Sequence, residues 1–466
     1  MAVRRLAGDD GRRACSGSFQ PVTRSTLRIG AGAGFSGDRI EPALDLIEHG
    51  DLDYLAFECL AERTIGLAQA ARAADPQAGF DPLLETRMRR ALPLAAPRGV
   101  RIVTNMGAAN TLGAARKVTE IARELGLSGY RTAAVTGDDV LDLVLAGDYP
   151  LIDRPGTSRD LGDAIVSANA YLGAQGIVMA LSQGADTVIT GRVCDPALFL
   201  GPLAHELGWS FDDHAMMGQG TVIGHLLECA GQVCGGYFAD PGVKDVPDLA
   251  RLGFPYADVA RDGVAVLGKL AGSGGRIDTA TVKEQLLYEI LDPAAYLQAD
   301  VSADFRHVRI EQTGPDRVRV SGGTGAPAPD KLKVSIAYHD GYVGEGQISY
   351  AGPGAAARGR LAIEIIRERL RIIGAQVEEL RCDLIGMDAV DRRGAGGDPA
   401  EVRVRIAGRA SCVQAATAIG AEVEALYTNG PMGGGGVTRS VRQVLAVAST
   451  LIARELVAPR VHLEIA

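Results

Sequence analysis

Glu58 stands in an otherwise apolar run, Phe57-Glu58-Cys59-Leu60. A carboxylate there costs free energy unless it is paired or protonated, and its pKa moves toward the range of a general base. Arg63 or Arg192 could pair it instead, and the residue types leave both readings open. His225 and Glu228 lie three apart in residues 224–229, GHLLEC. On a helix that spacing puts both on one face, as proton-transfer partners or metal ligands. His205 and His214 are nearby, so a divalent metal is not excluded. The spacing matches no zinc signature, however, and no metal ligand is assigned. Asp195 follows Arg192 in residues 190–196, TGRVCDP, and joins the catalytic candidates. Asn105, Asn110 and Arg192 are the groups suited to orient a carboxylate or polarise a carbonyl.

Two glycine-rich turns could hold phosphate. Gly32, Gly34 and Gly37 carry the spacing of a dinucleotide fingerprint, between a strand and a helix, with Asp53 or Glu58 as the acidic ribose partner. A nicotinamide cofactor would bind there. The chain holds 60 glycines, so such strings arise easily, and a tight turn for strand–helix packing is the competing reading. Gly433, Gly434, Gly435 and Gly436 run consecutively before Thr438 and Arg439. Read as a turn into a helix over 438–457, they form a cradle for phosphate or carboxylate, with Arg439 as counter-charge. Cys229 and Cys234 read as small-residue packing and not as a redox pair.

The elements that must position these groups are strands alternating with helices. Apolar runs at 26–29, 53–58, 99–104, 131–136 and 187–190 predict strands, and 112–127 and 163–176 predict helices. This is an α/β pattern: a parallel sheet with helices on both faces. Ligands of such sheets bind beyond the carboxyl ends of the strands, where Glu58, Asn105, Asp138, Arg192 and Asp195 fall. An α+β region follows. It contains an antiparallel meander over 305–350, with hairpins at 307–310/317–320 and 331–338/346–350, and a helix over 355–373. Strands near 382 and over 401–406, a helix over 411–427 and a strand over 460–465 complete it. The expected division is a disordered tail at 1–26, a parallel α/β domain at 27–232 and the α+β domain at 233–466. Residues 391–399 read as a surface loop.

The net charge of -9 and the lack of a basic cluster exclude a nucleic-acid partner. No run approaches the roughly 18 apolar residues of a membrane span. Seven scattered cysteines form no disulfide framework, and no signal peptide is legible, so a cytoplasmic protein is expected. A homo-oligomer is expected, with the β-rich middle as a possible dimer face.

Together these stretches resemble the acyclic terpene utilisation (AtuA-like) family. The resemblance is carried by residues 30–39 with 53–63 (DYLAFECLAER), 104–110 (TNMGAAN), 184–195 (GADTVITGRVCD) and 224–236 (GHLLECAGQVCGG). It extends through 281–296 (TVKEQLLYEILDPAAY), 331–354 (KLKVSIAYHDGYVGEGQISYAGPG) and the turn at 430–439. It implies a small-molecule enzyme working beside acyl-CoA carboxylases, hydratases and dehydrogenases in the degradation of citronellol and geraniol. It also implies a ferredoxin-like domain of about a hundred residues in many members, lost here or supplied as a separate small subunit. The expected function is a lyase or hydratase step on a carboxylic acid or its coenzyme A thioester, by proton abstraction next to a carbonyl. The alternatives are an NAD-dependent oxidoreductase and a non-catalytic subunit of an acyl-CoA-processing complex.

Overall fold

The computed structural model describes residues 24–391, 393, 397 and 399–466. The expected tail lies outside the described residues up to 23, and the loop expected at 391–399 lies partly outside them. The first half alternates strands and helices: β1 Thr26–Ala33, α1 Glu41–His49, β2 Tyr54–Phe57, α2 Glu62–Ala74, α3 Leu84–Arg98, β3 Arg101–Thr104, α4 Thr111–Glu124 and β4 Arg131–Thr136. Next come α5 Leu141–Ala146, α6 Ser158–Leu161, β5 Ile165–Ala170, α7 Gln175–Ser182, β6 Thr187–Thr190, α8 Ala197–Leu207 and α9 His214–Glu228.

Strands β1, β2, β3, β6 and β4 lie side by side in that order, all parallel. β2 and β6 are buried along their whole length, as a sheet covered on both faces requires. Helices α1, α3 and α4 pack together over one face, and α7, α8 and α9 over the other. The chain therefore leaves β3 for one face and the neighbouring β6 for the opposite face. Such divergence opens a crevice above the strand ends, the place where open parallel sheets bind ligands.

The rest of the chain extends and flanks this sheet. β7 Pro255–Ala260, β8 Ala265–Lys269, α10 Thr279–Leu287, β9 Tyr296–Leu297, β10 Ser302–Asp304, β11 Arg309–Gly314, β12 Arg317–Ser321 and β13 Thr324–Ala326 follow α9. Then come β14 Lys331–Ala351, α11 Ala355–Ile372, β15 Glu379–Ile385, β16 Glu401–Ala410, α12 Val413–Asn429, β17 Gly435–Ala453 and β18 Arg460–Ile465. β7, β8, β12 and β11 add antiparallel strands beyond β1, and β18 pairs antiparallel with β4. The large sheet thus draws strands from both sides of position 232. β14 to β17 with α11 and α12 form a βαββαβ unit in the order β15-β16-β14-β17, a ferredoxin-like arrangement inside this chain. β5 pairs with the first half of β14 and ties this unit to the rest.

Three sequence expectations are corrected. The helix expected over 438–457 is strand β17. Its β-branched residues, Val437, Thr438, Val441, Val444, Val447, Thr450 and Ile452, favour the extended form once β14 offers a full-length partner. The hairpin expected at 331–338/346–350 is one strand, β14, and residues 339–342 are a register shift within it. Gly341, at φ +72, takes the left-handed bend this irregularity needs. The helix expected over 163–176 divides into β5 and α7. The β11/β12 hairpin forms as expected. Among the described residues no helix is long and apolar enough to cross a membrane.

Candidate functional site

Three adjacent strand ends deliver the central groups. Glu58 follows β2 and is 8% exposed. Its Oε1 accepts from the Leu60 N–H at 2.8 Å and from Asn105 Nδ2 at 2.9 Å. Asn105 follows β3 and is oriented in turn, because its Oδ1 accepts the Cys59 N–H at 2.7 Å. Among the described residues both hydrogen bonds to the Glu58 carboxyl reach Oε1. Arg192 follows β6 and is fully buried. Its guanidinium donates to the carbonyls of Leu60 and Val193 and to the carboxylate of Asp195. The Tyr171 ring stacks on it, 4.3 Å from Cζ to the ring centre. Its backbone N–H donates to Asp138 Oδ2 at 2.9 Å, which also accepts from Asn169 Nδ2 at 2.9 Å.

The last turn of α9 brings a second acid. His225 Nδ1 lies 2.8 Å from Glu228 Oε1, and Nε2 lies 3.0 Å from the Gln285 carbonyl oxygen. A carbonyl only accepts, so Nε2 carries a hydrogen. Burial pushes the imidazole pKa down to about 4, so the ring is neutral and Nδ1 offers a lone pair. Glu228 Oε1 must then hold a proton and donate it. Oε2 of Glu228 is buried without a partner.

Burial holds the Glu58 carboxyl well above its ordinary range, and the Asp195 charge adds to this against Asn105, Leu60 and Arg192. Burial and the charges of Asp195 and Glu289 raise Glu228 in the same way. Asp195 is itself raised by burial, against the pull of Arg192. Glu62, at the start of α2, behaves oppositely. Burial raises it, but the Tyr171 hydroxyl, backbone N–H, Arg192 and Lys333 outweigh that and hold it at about 2. Arg192 pairs with Asp195 and Lys333 with Glu62, while burial favours the protonated forms of Glu58 and Glu228.

The fold therefore gathers Glu58, Asn105, Arg192 and Asp195, and sets His225 and Glu228 within reach of their charges. Asn110 stands apart as the N-cap of α4. Its side chain accepts from the Gly113 N–H at 3.0 Å and donates to the carbonyls of Pro76 and Ala78. The first glycine turn has packing reasons. A Cβ on Gly32 would meet the Phe57 ring at 2.7 Å, one on Gly34 the Cys229 backbone at 2.6 Å, and one on Gly37 the Phe35 ring at 2.7 Å. The Gly34 N–H that a phosphate would use is taken by Asp38 Oδ2 at 2.9 Å. The second turn is a correction: Gly433 and Gly434 lead into strand β17 and Gly435 and Gly436 open it, so no helix N-terminus follows them. Arg439 pairs with Glu424 at 3.2 Å on the surface. β17 meets α2 at Leu445, ten residues on, about 33 Å along an extended strand.

The second strand's end also offered Glu62 from sequence, but Tyr171, Glu289, Lys333 and Tyr296, whose ring centre lies 5.6 Å from that of His225, were not singled out. Residues 53–63 and 281–296, which carry the family resemblance, contain Glu62, Glu289 and Tyr296 and were the available signal. Backbone geometry marks the same neighbourhood. Among described non-glycine residues at positive φ, three are Asp, and the others are Ala108, Ala230, Tyr237 and Glu289, all in loops flanking the cluster. Among the described residues, no group of three or more His, Cys, Asp or Glu is arranged to hold a metal ion.

The family model described as acyclic terpene utilisation family protein AtuA matches residues 27–463. No curated protein matches the chain. Among solved structures, a homoserine dehydrogenase from Thiobacillus denitrificans shares 10% identity, covering 87% of this chain and 84% of its own, with a TM-score of 0.15. That likeness carries no argument about fold or activity.

Proposed function

The chain belongs to the acyclic terpene utilisation family, and from that premise we propose that the Glu58–Arg192–Asp195 cluster catalyses a lyase or hydratase step on a carboxylic acid or its coenzyme A thioester. One observation supports the reading above others: two carboxyls raised by burial lie near one buried guanidinium, and only one of them, Asp195, is ion-paired to it. Asp195, 37% exposed at its side chain, is ion-paired to Arg192. Burial favours the protonated form of Glu58, and both hydrogen bonds it accepts reach Oε1. Elimination of water needs such a pair, one group to remove the proton next to the carbonyl and one to protonate the leaving hydroxyl; addition runs the pair in reverse, one group taking a proton from the arriving water and the other giving one to the carbon next to the carbonyl.

In this reading Asp195 is the base and Glu58 the acid. Asn105 positions Glu58, and Arg192 fixes Asp195 and sets the local charge. The neutral His225–Glu228 pair adds a second proton store, with the bare Glu228 Oε2 as an acceptor.

Geranyl-coenzyme A and geranic acid serve as probes, with conversion followed by chromatography. Glu58→Gln should keep substrate binding and lower turnover at least about 100-fold. Unchanged turnover removes Glu58 from the mechanism, and no conversion of either probe by the unaltered chain counts against the reaction class.

A further inference from the structure

Along α10 runs an open furrow of about 750 Å³ whose lining, Glu289 apart, the residues above do not account for. That volume lies in the range of small-molecule sites. Its walls carry Lys244, Arg276 and Lys283 with the rings of Phe238 and Tyr288. Phe238 holds two of the cations in place: Lys244 Nζ sits 4.7 Å and Arg276 Cζ 5.5 Å from its ring centre. Lys244 pairs with Glu284 and Arg276 with Asp278. Lys283 is exposed, and among the described residues no ion pair engages it.

Beside the furrow, Tyr237 is 87% exposed and stands at φ +61, its ring edge-on to Tyr288 at 6.5 Å. A strained backbone holding an aromatic ring out in water gains nothing for the fold, but it makes a stacking platform for a planar ligand. Glu289 lines the furrow, and its charge acts on both Glu228 and Asp195. This wall of the furrow therefore lies within electrostatic reach of the acid cluster.

We propose that this furrow binds the adenosine-phosphate handle of a coenzyme A thioester, phosphates against Lys244, Arg276 and Lys283 and adenine on Tyr237 and Tyr288. The thioester end then passes Glu289 toward Asp195 and Glu58. The proposal rests on the thioester form of the function above and adds where its nucleotide is held.

The test is calorimetric titration of the full chain with coenzyme A, 3′,5′-adenosine diphosphate, pantetheine and inorganic phosphate. Coenzyme A and the diphosphate should bind, more weakly at higher salt, and pantetheine should not. Lys283→Glu and Tyr237→Ala, both on the surface, should each weaken diphosphate binding about 10-fold or more while the melting temperature holds. Absence of nucleotide binding, or binding equal in both variants, overturns the proposal. Inorganic phosphate competing as well as the nucleotide overturns the adenosine assignment. Conversion of geranic acid without coenzyme A binding would sink the furrow and spare the catalytic reading. Coenzyme A binding with no conversion of either probe would do the reverse.

Discussion

Replacing Asp138 by Asn isolates the cost of one buried carboxylate. Asp138 is 6% exposed, and burial raises its pKa from 3.8 to about 6 despite the Arg192 N–H and Asn169. Each tenfold change in ionisation constant is worth about 1.4 kcal/mol, so ionising it in the folded chain costs about 3 kcal/mol. The sign follows from which state holds the proton. Below pH 3.8 both states are protonated and nothing is lost. Between 3.8 and about 6 the unfolded chain ionises first, and stability falls as pH rises. Above that the penalty is constant. The substitution should leave the site intact, because both hydrogen bonds reach the same oxygen, Oδ2, and one amide oxygen can accept both. Urea denaturation at intervals from pH 4 to 8 should show the variant gaining on the parent, by little at pH 4 and by about 3 kcal/mol at pH 7 and above. A pH-independent difference, or a parent that gains as pH rises, would refute the burial argument.

Gly34→Ala places a methyl 2.6 Å from the Cys229 carbonyl carbon, where only backbone can yield. Overpacking of that kind costs about 1–3 kcal/mol, read as a lower melting temperature. Arg439→Ala removes one half-exposed ion pair far from the cluster, so stability should change by less than about 1 kcal/mol and turnover not at all. A large loss of turnover would restore the glycine turn at 433–436 as part of the site.

The central sheet is legible because buried parallel strands are short apolar runs ending in glycine and polar residues, as at 101–107 and 187–192. The ligand rule for such sheets then points to Glu58, Asn105 and Arg192 before any coordinates exist. What fails is what depends on partners distant in sequence. Residues 438–453 alternate loosely enough to read as helix or strand, and only the full-length pairing with β14 decides. The same ambiguity at 165–170 hid β5, and with it the reason Tyr171 arrives against Arg192. Glu289 and Tyr296 come from outside the parallel sheet, so no strand-end argument reaches them. Asn110 has a local role that its residue type alone did not reveal: its amide oxygen caps α4 and its amide nitrogen bonds the carbonyls of Pro76 and Ala78.

One buried guanidinium needs one carboxylate to neutralise it. Arg192 has Asp195 for that, and Lys333 has Glu62 at 3.1 Å. Glu58 and Glu228 are therefore surplus to charge balance, and burying them lowers stability wherever they ionise. Apolar residues of similar volume would fill both places at less cost. Burial instead favours the protonated form of both acids, with Asn105 bonded to one and His225 to the other. Structural need accounts for Asp195 and Glu62. It leaves Glu58 and Glu228 unexplained, and a site that moves protons is the account that uses them.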